Sequence, residues 1–291
     1  MHLSPFDEAR LLEVVQFIAR LNVENAHHIG FWGTHPADIT KAIRSFTPPA
    51  RESLKLAYEQ EQLIGVLGVD TDAEVGRAWL YGPIIEHAEW QGVADQLYPA
   101  AQAVIPASIH EQAVFCDVEN TLCQAFAERH GFSARSENAV MRFTREQARA
   151  LPAATAPELL THHIPAFQTL HDQTFPGTYY TGRQLVEKID DHAQAFVVEE
   201  AGALLGYIFV QAVPEAGEGY VDFLGVAESA RGRGLGRRLL TTALHWLFAF
   251  PETQIVRETV EIKNAIALRT YEGLGFTRER TMRGYQKDHP R

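Results

Sequence analysis

Cysteine is nearly missing from this chain: Cys116 and Cys123 are its two in 291 residues. Both fall in one proposed strand–helix stretch, so a disulfide framework is not expected. Long apolar runs are missing too, and none approaches the ~20 residues that a spanning helix needs. The opening residues, MHLSPFDEARLLEVV, have neither the basic start nor the apolar middle of a secretory leader. A cytoplasmic protein with no membrane partner is the expectation. Positive charge is scarce, with 26 Lys and Arg against 37 Asp and Glu, a net of −11. That balance argues against nucleic acid as a partner. No Gly-x-Ser-x-Gly or Cys/His arrangement supplies a covalent nucleophile. The histidines, His27-His28 and His162-His163 among them, show no metal-ligand spacing, so no metal is expected.

What is present suits a globular chain long enough for two domains, 46% hydrophobic and 22% charged. The charge is uneven: residues 1–145 carry a net of −8 and residues 146–291 a net of −3. Against this acidic background, Arg231, Arg233, Arg237 and Arg238 crowd into eight residues. They lie in the stretch YVDFLGVAESARGRGLGRRLLTTALHWLF, Tyr220 to Phe248. It reads as a strand through Val226, a glycine-rich turn, and an amphipathic helix with Leu235, Leu239, Leu240, Ala243, Trp246 and Leu247 on one face. Free N–H groups and the positive end of the helix dipole then converge beside the turn, which is the local architecture of an anion site.

Spacing narrows the anion. A P-loop needs Lys-Ser/Thr after its last glycine, whereas Gly236 is followed by Arg237-Arg238. A dinucleotide turn needs Gly-x-Gly-x-x-Gly, and this turn reads Arg231-x-x-Gly234-x-Gly236. After a Leu-Gly-Val strand, that order resembles the acetyl-CoA pyrophosphate loop of the GNAT N-acetyltransferase superfamily. Downstream, Val260, Asn264, Ala267, Tyr271, Gly275 and Phe276 are similar to the second half of the same site. The resemblance implies an α/β fold whose mixed, mostly antiparallel sheet is flanked by helices.

The chain also repeats. Asn120 precedes Gly131-Phe132 as Asn264 precedes Gly275-Phe276, and Leu80-Tyr81-Gly82 answers Phe223-Leu224-Gly225. Two tandem GNAT-like domains are therefore expected, 1–145 and 146–291, joined by a linker over Thr144 to Pro157 with room for the second domain's first strand near Ala148 to Leu151. The first copy has Glu89 where the second has Arg231, and Ala127 where the second has Tyr271. A carboxylate beside a pyrophosphate is repelled, so the first copy reads as a degenerate domain. Weak binding through Gly92 and Ala94 is the alternative.

The resemblance implies acetyl-CoA as co-substrate and direct attack by a primary amine. An ammonium of pKa ~10.4 is almost wholly protonated at neutral pH, at a cost of ~4.6 kcal/mol, so a general base is useful. Asp222 is the first candidate, with Glu261 and Glu218 as alternatives. Tyr271 matches the tyrosine that protonates the departing thiolate. The backbone of Leu224, Gly225 and Val226 would pair with the pantetheine arm. The turn Arg231, Gly232, Arg233, Gly234, Leu235 and Gly236 would hold the pyrophosphate, with Arg237 and Arg238 within reach of phosphates or facing solvent. Asn264 and Ala267 complete the cofactor side. Phe175, Tyr179 and Tyr180 would wall the acceptor, a small-molecule amine, in a monomer with a pseudo-dimeric repeat or in a homodimer. A non-catalytic CoA-sensing module and a protein N-acetyltransferase are the rival readings.

Overall fold

The computed structural model describes residues 1–288. Two compact units divide the chain: Met1–Asn138 with the residues from Arg280 on, and Ala139–Glu279. In order, the strands are β1 (His2–Pro5), β2 (Lys55–Glu59), β3 (Gln62–Asp72), β4 (Arg77–Ile85), β5 (Glu111–Asp117), β6 (Ser133–Thr144), β7 (Ala193–Glu200), β8 (Ala203–Val213), β9 (Glu218–Val226), β10 (Ile255–Glu261) and β11 (Thr277–Asp288). The first unit's sheet runs β1-β2-β3-β4-β5-β11, and the second's runs β6-β10-β9-β8-β7. Hairpin neighbours are antiparallel, as in β2–β3 and β8–β9, whereas β4–β5 and β9–β10 are parallel. Each sheet is thus mixed and mostly antiparallel, with helices against it.

The repeat appears in the strands as well as in the motifs. Each unit has one parallel pair joined by a crossover helix, Trp90–Gln102 in the first and Leu235–Leu247 in the second. In the second unit, Leu235, Leu239, Leu240, Ala243, Leu244 and Leu247 are buried at three- and four-residue spacing. They pack on Val210, Val221 and Val256 to form one core. On the other face of the sheet, the helices Ile164–Thr174 and Gly182–Glu187 bury Phe167 and Leu185 against Tyr207, Phe209 and Phe223.

Two boundaries differ from the sequence reading. The division expected at 145/146 falls instead after Asn138, because Ala139, Met141 and Phe143 alternate inward and belong to the second unit's core. The first strand of that unit is therefore the end of β6, not a segment near Ala148 to Leu151. Thr144 and Gln147 form a capping box that stops the strand and opens a short helix, Arg145–Ala148, inside the supposed linker. At the other end, residues from Arg280 on join the first unit, where Met282–Asp288 pair with Glu111–Asp117. The helix Ile164–Thr174 opens with Pro165, which suits the first helical turn. Among the described residues, no helix is long and apolar enough to cross a membrane.

Candidate functional site

The site is set by the place where β9 and β10 part. They pair only from Ile255 to Glu258 with Glu218 to Val221, yet β9 runs on to Val226 and β10 to Glu261. Past that point the backbone edges of Leu224 to Val226 and Thr259 to Glu261 face a wedge. At its base, Phe209 pairs with Phe223 and Val210 with Val221, which leaves Asp222 as the extra residue of a β-bulge. The bulge turns the strand over: Val221 packs under the helix Leu235–Leu247, and Phe223 packs in the opposite core. Gly225 follows, and a Cβ there would stand 2.7 Å from the Tyr207 ring, so only glycine allows this approach.

Three ionisable groups meet at the base. Asp222 is half-buried and accepts a hydrogen bond from Gln211 Nε2 at 2.5 Å. Burial pushes its pKa up to about 6, although Gln211 and the charge of Lys188 pull the other way. Glu258 retains 8% of its surface. Burial and then the negative charge of Asp222 raise it well above the usual carboxylate range, while the Tyr271 hydroxyl offsets part of that. Tyr271 is 2% exposed, neighbours Glu258, and packs edge-on to Phe276. Burial and the Glu258 charge push its phenol up, so it remains protonated at neutral pH. Such an arrangement holds a proton acceptor and a proton donor where β9 and β10 part.

Sequence reasoning missed Glu258. It sits inward in the alternation Val256, Glu258, Val260, where the two valines are core residues. A carboxylate on an aliphatic face was the available signal. The alternatives that were named sit elsewhere. Glu261 is partly exposed and pairs with Lys263 at 3.3 Å. Glu218 is bound by Arg257 at 2.5 Å and by the Tyr220 hydroxyl. Burial works against the Arg257 charge, yet Glu279 and Glu218 hold it well above its usual range, so Glu218 serves that ion pair.

The glycine-rich turn lies between β9 and the helix Leu235–Leu247. Gly232 and Gly234 both have φ +77°, a left-handed conformation that favours glycine. A Cβ at either would meet nothing within 4 Å, so the turn presents its backbone bare. Gly234 is the N-cap and brings no side chain to the helix's free N–H groups. Gly236 lies over Leu224 and Val226, each 3.9 Å from where its Cβ would be. Open amides and the positive end of the helix dipole make this turn able to hold an anion. All four arginines are engaged: Arg231 donates to the Val226 carbonyl at 3.4 Å, Arg233 grips Glu200 at 2.7 Å, Arg237 donates to the Gly273 carbonyl at 2.9 Å and Arg238 to that of Thr155 at 2.7 Å. Asn264 caps the next helix, its Oδ1 accepting from the Ala267 N–H at 3.1 Å, and the half-buried Ala267 lies in that first turn.

The aromatic loop comes close to the carboxylates. The Tyr179 ring packs on Phe223 at 4.9 Å, and its hydroxyl lies 3.5 Å from the Asp222 carbonyl oxygen. Phe175 also packs on Phe223, at 5.2 Å, and Tyr180 packs on Tyr179 at 4.9 Å. His171, fully buried, ties this loop to the sheet: its ring nitrogens lie 2.8 Å from the Tyr180 carbonyl and 2.5 Å from the Tyr207 hydroxyl. Burial lowers the His171 pKa, only partly offset by Tyr180. The neutral ring therefore donates to the carbonyl and accepts from the phenol.

His162, His163 and Glu199 bring ligand atoms within 4.8 Å of one another, a grouping the residue spacing did not disclose. The surroundings suit a proton better than a metal. His163 Nδ1 accepts from the Leu160 N–H at 3.0 Å, so its Nε2 carries the hydrogen and donates to Glu199 at 2.9 Å. A metal-bound imidazole instead donates from its second nitrogen to an acceptor.

The corresponding wedge of the first unit is filled by its own chain. β4 and β5 pair only from Arg77 to Trp79 with Glu111 to Ala113. The opened β5 edge is taken by residues 28–30: Gly30 N–H donates to the Phe115 carbonyl at 2.8 Å, and Asp117 N–H to that of His28 at 3.1 Å. Asn120 Nδ2 approaches the same His28 carbonyl at 3.4 Å, while Trp32 Nε1 donates to the Tyr81 carbonyl on β4 at 3.2 Å.

Comparison with known proteins points the same way. Residues 160–276 match the model of the acetyltransferase (GNAT) family. A mycothiol acetyltransferase of Nocardioides sp. is 28% identical over 224 residues, 65% of this chain and 73% of that protein. One of Thermomonospora curvata is 40% identical over 103 residues, and that match spans 33% of its length. A match to the mycothiol acetyltransferase of Tsukamurella paurometabola spans 27% of its length. Among solved structures, a GCN5-related N-acetyltransferase from Sphaerobacter thermophilus superposes with a TM-score of 0.77 at 16% identity, covering 99% of this chain and 96% of that one. A tandem GNAT protein from the clavulanic acid biosynthesis pathway does so with a TM-score of 0.71 at 16% identity, covering 100% and 99%. At such identities the likeness is one of fold.

Proposed function

We propose that the second unit, in which residues 160–276 match the model of the GNAT acetyltransferase family, is an acetyl-CoA-dependent N-acetyltransferase acting on a primary amine of a small molecule. The observation that carries this reading is the convergence of Asp222, Glu258 and Tyr271 on the wedge between β9 and β10, next to the bare glycine turn. The turn's amides and Arg231 would hold the pyrophosphate, and the free edge of β9 the pantetheine amides. Asp222 removes a proton from the incoming ammonium group, which lets the nitrogen attack the thioester carbonyl. Tyr271 protonates the departing sulfur. Buried carboxylates beside Tyr179 and Phe175 favour an acceptor with a cationic amine and an apolar neighbour. The names of its relatives put a mycothiol-type amine in the acceptor screen.

The test is a calorimetric titration with acetyl-CoA followed by turnover on an amine panel. One site per chain is expected, abolished by Gly234→Glu, which places a carboxylate at the phosphate turn and a side chain at a left-handed φ. Tyr271→Phe is expected to keep the binding and lower kcat about 100-fold or more. A protein that binds but never turns over, with Tyr271→Phe indistinguishable from it, would be a CoA-sensing module instead.

A further inference from the structure

The reaction as described leaves one buried carboxylate without a task. Glu258 occupies a position where its neighbours on the strand face, Val256 and Val260, are aliphatic and buried. Its Oε2 has no hydrogen-bond partner. A carboxylate so placed costs stability, and a leucine of similar size would not. An unpaired buried oxygen therefore calls for a role beyond packing. The position supplies one. Glu258 is the last residue of β10 to pair with β9, and it neighbours both the Asp222 carboxylate and the Tyr271 hydroxyl.

We propose that Glu258 is a proton relay between the amine side and the thiol side of the site, returning to Tyr271 the proton that the tyrosine gives away. This inference rests on the acetyltransferase reading above. Two adjacent carboxylates, one buried and one half-buried, do not readily both ionise, so the pair holds one proton, on Glu258, while Asp222 is ionised. Asp222 takes the first proton from the ammonium group. The freed nitrogen forms the C–N bond to the acetyl carbonyl carbon, and the C–S bond breaks with its electron pair on sulfur. Tyr271 protonates that sulfur, Glu258 reprotonates Tyr271, and Glu258 recovers its proton from the nitrogen of the new amide. Asp222 then releases the first proton to solvent. Ammonium and thioester have become amide, thiol and one proton, and every protein group is back in its starting state.

The experiment compares wild type, Glu258→Gln, Tyr271→Phe and the double variant, by acetyl-CoA titration, melting temperature and kcat. Glu258→Gln is expected to bind acetyl-CoA as wild type does, to melt no lower, and to lose about 30-fold or more in kcat. Because a relay acts in series, the double variant should be no slower than the slower single variant. Glu258→Leu, which preserves the packing without the carboxyl group, should show the same loss. Wild-type kcat in Glu258→Gln, or losses that multiply in the double variant, would overturn the relay and leave the acetyltransferase reading intact. No acetyl-CoA binding by wild type would instead overturn that reading itself.

Discussion

Asp222 carries two opposite consequences of one perturbed pKa. Its carboxyl group accepts a proton only when ionised, and burial has pushed that ionisation up to about 6. The acid-side fall in kcat/KM should therefore centre near 6 rather than near the usual ~3.9, and Asp222→Asn should remove that limb along with most of the activity. Stability runs the other way. A folded-state pKa raised above the unfolded one contributes stability below about 3.9, and this is lost as pH rises through 6. Asp222→Asn should then melt higher than wild type at pH 8, and equal or lower melting would refute that sign. Asp222 and Tyr271 were legible as candidates because the motifs around them carry the family resemblance. Glu258 was not, because its meaning depends on which strand face it occupies, and the short run from Ile255 to Glu261 also admits a reading by charge alone.

At the scale of elements, the glycine turn and its helix were readable before any coordinates, since left-handed glycines and a 3.6-residue apolar stripe are local properties. The bulge at Asp222 and the parting of β9 from β10 were not, because register is a relation between strands that no single strand records. The end of the crossover helix adds a contact of the same kind. Arg145 donates to the carbonyls of Phe248, Phe250 and Thr253 at 3.2, 2.5 and 2.7 Å, so its fork holds the C-cap of the helix Leu235–Leu247 and the loop that follows it. Arg145→Met removes those donors and should lower Tm by roughly 3–8 °C with little effect on acetyl-CoA affinity. Calorimetry on the apo protein checks the first part, and a titration checks the second.

For the whole molecule, the exchange of strand ends means that a cut by motif is not a cut by fold. A fragment of residues 146–291 loses Ala139, Met141 and Phe143 from its core, whereas one of residues 139–279 keeps them. The longer start should give the more soluble and more cooperatively melting fragment, and equal behaviour would show that this strand contributes little. The plugged wedge of the first unit has a wider consequence. An occupant that belongs to the chain is present at every concentration of every metabolite, so that half should melt at a temperature indifferent to added acyl donor. The open half should gain about 2.7 kcal/mol at a hundredfold excess over Kd. With acetyl-CoA bound as proposed, one transition of the chain would move with the acyl donor and the other would stay fixed, so the gap between the two would act as a built-in thermometer of acyl-donor supply.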